Sequence, residues 1–273
     1  MMGIMKKFVV FLVYLYAMSL VLPFLAVLAL SGAQCFENFR TVCDRYVLLA
    51  VGAQISEQAP AEAIKAQTVL ARTNYEAVRE DEKQRKELYQ NLKVYYSAGE
   101  AREKFLKNYG IYQEAAQAAG EILTWKNEAR CVPYHQVSSG HTRSGEEVLH
   151  DSSYGYLVSV ESFLDRNAED FLQTFEYPED FQKNISIVSK DSSGYVMEVR
   201  VGEELMSGEE LRRQLELPSS SFSVKKTNGK LRILCKGTGH GLGLSQYGAS
   251  VMAKEGKNYI EILTYYFPAM EIH

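Results

Sequence analysis

The longest apolar stretch stands at the start. From Phe8 to Leu30 no side chain carries a charge, and at ~1.5 Å per residue a helix of that length reaches about 34 Å, enough for a bilayer core of roughly 30 Å. Lys6 and Lys7 precede the run and Glu37 is the first charge after it, a bias that keeps residues 1–7 in the cytoplasm and exports the remainder. The pattern predicts a single-pass transmembrane signal anchor at 8–30, a juxtamembrane segment at 31–45 and an extracytoplasmic domain at 46–273. A cleaved signal peptide, with an apolar region of ~7–15 residues and a small-residue cleavage site, fits this length less well. Pro23 is tolerated inside a membrane helix.

Beyond the anchor, Asp44 to Tyr109 reads as helical, most plainly from Ala63 to Arg72, and Pro60 stands where a first turn accepts proline. Arg79 to Glu87 is charged on all sides with mixed sign, the texture of a solvated helix. From Ile122 the pattern changes to short apolar runs divided by turns: Glu121 to Trp125, Cys131 to Val137, Tyr156 to Val160, Ile185 to Val188, Tyr195 to Val201, Phe222 to Val224 and Leu231 to Cys235. These are predicted strands, and Asn228-Gly229 between two of them is a hairpin signal. Ser207 caps a predicted short helix through Leu215, and Ser245 to Lys254 and Tyr259 to Phe267 are two more. The expected fold class is α+β, with helices flanking an irregular β-rich middle, a substrate cleft, and neither a repeat nor a dividing linker.

Composition narrows the partners. With 273 residues, 46% hydrophobic and 23% charged, the chain can build a real core. Its 30 basic residues against 34 acidic ones give a net charge of −4, and the two N-terminal lysines make the remainder more acidic still, so no nucleic acid is expected as partner. Four cysteines, Cys35, Cys43, Cys131 and Cys235, permit three pairings or none; a small loop from Cys35 to Cys43 is one option. The 18 tyrosines suit both packing and stacking on sugars.

Two segments carry candidate chemistry. Lys236 to Gly248 places glycines at alternating positions around His240, so the backbone can approach a ligand and adopt angles barred to other residues. Lys and Ser/Thr do not follow its last glycine, so it is not a phosphate loop; a glycine-rich turn holding a packed histidine is the other reading. Cys131, His135 and His141, with Cys235 or His150 as a fourth donor, have ligand types at spacing that zinc could use, but no paired Cys-x₂-Cys accompanies them. As turn and cleft residues they need no metal.

The same segments resemble the stage II sporulation protein D (SpoIID) family, whose domain is shared with the LytB amidase enhancers. The family's Gly-His-Gly-Val-Gly-Met-Ser-Gln-Tyr-Gly-Ala run is matched from His240 to Ala249, and its Tyr-Tyr-Pro ending by Tyr265-Tyr266-Phe267-Pro268. Glu62 to Thr73 is similar to its Glu-Ala-Leu-Lys-Ala-Gln-Ala-Val-Ala-Ala-Arg-Thr segment, and Tyr134 to Thr142 to its Phe-His-Ser-x-Ser-x-Gly-x-Thr turn. The resemblance implies a lytic transglycosylase acting on peptidoglycan glycan strands during engulfment, with no cofactor. One Glu protonates the glycosidic oxygen and then, as carboxylate, takes the proton of the muramic 6-hydroxyl. Counting back nine positions from Ala63 lands on Gln54, which cannot exchange a proton; Glu57 serves only if the register shifts by three. The family pattern further implies that Arg72, His135, Ser138, Ser139, Thr142, His240, Gly241, Gly243, Ser245, Gln246 and Tyr247 bind substrate, with the helix, the His135 turn and the glycine loop meeting in one cleft. The leading expectation is a membrane-anchored strand-binding protein, weakened or inactive as an enzyme. Its alternatives are an active transglycosylase using Glu57, and an enhancer or scaffold for a partner amidase.

Overall fold

A computed structural model describes residues 42–178 and 184–273. The α+β expectation holds; against the expected transmembrane helix, no helix among the described residues is long and apolar enough to cross a membrane. Helix α1, Val42–Gln54, has 13 residues, too short for a bilayer core at ~1.5 Å per residue. Helix α2, Ala61–Ala77, has 17 and carries Glu62, Lys65 and Arg72. The expected span at 8–30 and Cys35 lie outside the described residues. Cys131 and Cys235 are not bridged.

Helix α2 is the centre of the helical part. Ala63, Ile64, Ala66, Gln67, Thr68, Val69, Leu70 and Ala71 are consecutively or nearly consecutively buried, so the helix is covered all round rather than along one stripe. Its alanines let neighbours come close. The sequence read 44–109 as one helical stretch, but the chain breaks it repeatedly. Pro60, with φ −56° and ψ 145°, sets the start of α2, and Asp81 caps helix α3, Glu82–Ser97, by accepting from the Gln84 amide. Of α3 only Leu92 is buried, as its all-round charge requires. Helices α4, Gly99–Lys107, and α5, Tyr109–Ala118, follow, and α5 packs on α2.

Strands β1, Leu123–Trp125, and β2, Glu128–Ala129, form a small sheet. Strand β3, Tyr134–His135, leads through the short helix α6, Gly145–Leu149, to β4, Leu172–Pro178. Strands β5, Ile185–Lys190, β6, Val196–Val201, and β7, Glu204–Ser207, pair in that order. Helix α7, Gly208–Gln214, starts on a full capping box between Ser207 and Glu210. Strands β8, Phe222–Thr227, and β9, Lys230–Lys236, close on Asn228 and Gly229 at φ 54° and 69°, the predicted hairpin, and β4 joins the outer edge of β9. The β5–β6–β7 and β4–β9–β8 sheets and α7 bury Val196, Val199, Leu211, Phe222, Leu231 and Ile233. Cys235 is in this core, and burial pushes its thiol up to about 12.

Strand β10, Leu244–Ser245, pairs parallel with β3. Helices α8, Gln246–Lys254, and α9, Tyr259–Tyr266, pack on α2, and β11, Glu271–Ile272, returns to β1. One predicted strand is absent: Tyr156 to Val160 is irregular. Tyr156 and Leu157 are buried while Val158 is exposed, and the backbone bonds go to Gly145 and to the Thr142 backbone and hydroxyl rather than to a ladder.

Candidate functional site

The β3–β10 pairing sets Leu244 beside Tyr134 and Ser245 beside His135, and only glycine permits the approach. A Cβ on Gly243 (φ +71°) would lie 2.0 Å from the Pro133 carbonyl oxygen, and one on Gly239 (φ +114°) 2.6 Å from His135 Cβ. The glycine loop is thereby pressed onto the His135 strand, and the two imidazole rings lie 6.0 Å apart. Nδ1 of His135 faces the Leu242 carbonyl at 3.0 Å and must donate to it. That assigns the lone pair to Nε2, which is buried without a partner. Burial pushes the pKa of His135 down to about 3, so the ring is neutral. His240 is held the other way round, its Nδ1 accepting from the Leu242 amide at 3.1 Å, and burial lowers its pKa too.

Beside the two rings, three glutamines from three helices interlock. Gln67 of α2 donates through Nε2 to Gln54 Oε1 at 2.9 Å. Gln246, the first residue of α8, donates through Nε2 to Gln67 Oε1 at 3.1 Å and to the Gln54 carbonyl at 2.8 Å. Among the described residues Gln54 Nε2 has no partner, so its two donors are left for the groove that Gln54 lines. This groove encloses about 470 Å³ between α1 to α3 and the segments around Cys131 and Tyr156, with Tyr46, Asn74, Tyr154, Tyr156 and Leu242 in its walls. The Asn74 amide holds Val132 in place by two hydrogen bonds of 2.6 and 3.0 Å. Glu57 is not in the wall. It pairs with Lys104 of α4 at 3.0 Å, and that hydrogen bond holds its carboxyl below the usual range.

The remaining motif residues hold the loops. The Ser138 amide and the Ser245 hydroxyl donate to Asp165 at 2.7 and 2.9 Å, and Ser245 also caps α8. Burial pushes the Asp165 carboxyl up, against the pull of these bonds. The Ser139 amide donates to the Tyr195 hydroxyl at 3.0 Å, and the Thr142 hydroxyl accepts from Val160 at 2.9 Å. Tyr247 packs against Val137, Ala168 and Phe171. Gly241 accepts from the Arg143 amide at 2.8 Å. Arg143 is only 2% exposed; its side chain meets Asp191 at 2.5 Å, Glu209 at 3.3 Å and the His240 carbonyl at 3.2 Å.

Helix α2 meets the end of the glycine loop through Gln67 and Gln246, and the loop meets the turn through Leu242 and His135. Arg72 is elsewhere: it lies about 140° around α2 from Gln67 and donates to the Ala116 carbonyl of α5 at 3.1 Å. The zinc candidates are not brought together. Cys131 is exposed, His141 stacks edge-on against Phe163, and among the described residues no three His, Cys, Asp or Glu side chains converge as a metal group. Gln67, Asp165 and Arg143 were missed by sequence reasoning. Gln67 had a signal, an amide inside an otherwise apolar helical stretch.

Residues 39–125 match the family model described as stage II sporulation protein. The chain is 29% identical over 253 residues to the stage II sporulation protein D of Bacillus amyloliquefaciens, covering 84% of this chain and 73% of that one. It is 27% identical over 266 residues to the protein of that name from Bacillus subtilis, covering 89% and 77%. A shorter stretch of 50 residues, 18% of this chain and 7% of the other, is 48% identical to an amidase enhancer of Bacillus subtilis. On these matches the chain is similar to stage II sporulation protein D over most of its length.

Proposed function

We propose that this chain grips peptidoglycan glycan strands in the groove beside Gln54 and cleaves them weakly or not at all, in the course of sporulation. The observation that carries the reading is Gln54 itself, its side-chain amide held by Gln67 and its backbone carbonyl by Gln246, where the family resemblance calls for a carboxyl. An amide donates hydrogen bonds but cannot hand over a proton, and general acid-base catalysis is worth ~10²–10⁴-fold. Glu57 is a poor substitute: its ion pair with Lys104 favours the charged form, whereas an acid catalyst needs a raised pKa. The tyrosines and side-chain amides of the groove suit sugar rings and hydroxyls.

Incubation of the full chain with amidase-treated peptidoglycan, followed by sedimentation and mass spectrometry, tests the reading. Expected are co-sedimentation and no 1,6-anhydro ends. In the Gln54→Glu variant one carboxyl oxygen accepts from Gln67 and the other faces the strand, so anhydro ends should appear. Robust release by the wild type, or no binding, overturns the proposal. The stretch shared with an amidase enhancer supports a second reading, recruitment of a partner amidase, which a rise in amidase activity on adding this chain would favour.

A further inference from the structure

A second pocket, of about 280 Å³, opens where the β5–β6 turn meets the start of β8 and the end of β9. Two lysines line it, Lys190 and Lys236, together with Ser139, Ser193, Ser221 and Ser223. Among the described residues neither lysine has a carboxylate partner. Asp191, the residue after Lys190, is taken by Arg143 at 2.5 Å. Lys190 Nζ donates to the Phe222 carbonyl at 3.0 Å, which fixes its position and leaves two of its three N–H groups. The Ser221 and Ser223 hydroxyls make no hydrogen bond among the described residues. Ser139 closes the wall by donating to the Ser193 carbonyl at 3.3 Å, and Phe222 and Leu234 give the pocket apolar surface.

Two cations in one small pocket repel each other. Burial and the Lys236 charge both push Lys190 below the usual lysine range, an arrangement that an anion between them relieves. Hydroxyl and ammonium donors around a pocket that also has apolar lining are the complement of a charged oxygen group on a carbon skeleton. We propose that Lys190, Lys236, Ser221 and Ser223 form an oxyanion-binding site for carboxylate or phosphate groups carried on a cell-wall polysaccharide. In a glycan strand stripped of peptides, the lactyl carboxylate of muramic acid is such a group. The site is separate from the Gln54 groove and supplies charge recognition that the amide-lined groove lacks.

Calorimetric titration of the full chain with three probes tests it: denuded glycan strands, the same strands with their carboxylates reduced to alcohols, and inorganic phosphate. For Lys190→Gln/Lys236→Gln, strand affinity should fall about tenfold, the order set by losing charge-assisted bonds, and the fall should shrink with added salt. Carboxyl reduction should weaken the wild type equally and leave the double variant unchanged. Lys236→Arg should restore binding. Lysine-dependent binding of phosphate, with indifference to carboxyl reduction, keeps the site and assigns it to phosphate. If the double variant, folded by circular dichroism, binds every probe as the wild type does, the site is refuted. Lysine-dependent phosphate binding by a wild type that ignores strands would instead overturn the reading of the Gln54 groove and leave this site standing.

Discussion

His135 ties stability to pH through one ring nitrogen. Its Nδ1–H is spent on Leu242, and protonating the sealed Nε2 would place an uncompensated charge in the core. The folded pKa of about 3 lies below the ordinary 6.5, so the contribution to stability is complete above pH 6.5 and is lost as pH falls toward 3. Within that window this residue alone removes up to about 1.4 kcal/mol per pH unit. Urea titrations at stepped pH should show the slope, and His135→Asn, whose amide can still donate to Leu242, should abolish it. Unchanged slopes would mean that the ring has access to water. At this scale the sequence was half legible. That Gln54 faces the groove could be anticipated by counting along the motif, because the break between α1 and α2 is short. The direction in which Arg72 points could not, because a residue's place on a helix face depends on which neighbour covers it. Here α5 covers the Arg72 face and α8 the Gln67 face.

Among elements, the β3–β10 contact matters most and was the hardest to foresee. Each strand has two residues, too few for a period of two to show. What fixes the pairing is glycine, so Gly243→Ala should cost at least ~1–3 kcal/mol for its left-handed backbone alone, before the 2.0 Å clash with Pro133 is counted. Gly120→Ala, whose Cβ meets nothing within 4 Å, is the control and should leave the thermal midpoint nearly unchanged. Equal midpoints for the two variants would show that the loop is not seated on Pro133. Elements with local signals were legible: the Asn228-Gly229 hairpin, the Ser207 cap, and helices α8 and α9. Strand β4 was not. Its alternation leaves Leu172, Thr174, Glu176 and Pro178 exposed, so half of it reads as polar surface with a proline end. Tyr156 to Val160 failed the other way: Tyr156 and Leu157 are apolar because they line a groove.

For the whole molecule, the tie between the β5–β7 sheet, helix α7 and the glycine loop is Arg143. From the segment before α6 it reaches Asp191 after β5, Glu209 in α7 and the carbonyl of His240, and its guanidinium lies 4.7 Å from the centre of the Tyr195 ring. No pattern along the chain announces this, since the four partners are 48 to 97 positions away and an arginine after a threonine reads as surface. The position nevertheless decides how firmly the His240 loop is held against the β5–β7 sheet. Removing one member of a buried ion pair leaves the other charged and dry, at a cost of ~3–5 kcal/mol. Arg143→Met should therefore lower stability by that order in urea unfolding. Asp191→Asn retains an acceptor for the Ser193 and Tyr195 amides, which now bind Asp191 Oδ1 at 3.1 and 2.8 Å. Adding it to Arg143→Met should recover a large part of the loss, giving a coupling of 0.5–3 kcal/mol or more, the size seen for groups in direct contact. If the two substitutions simply add, Asp191 is not the group that makes Arg143 indispensable, and the loss belongs to Glu209 and the His240 carbonyl. In that case Glu209→Gln, combined with Arg143→Met, should show the coupling instead.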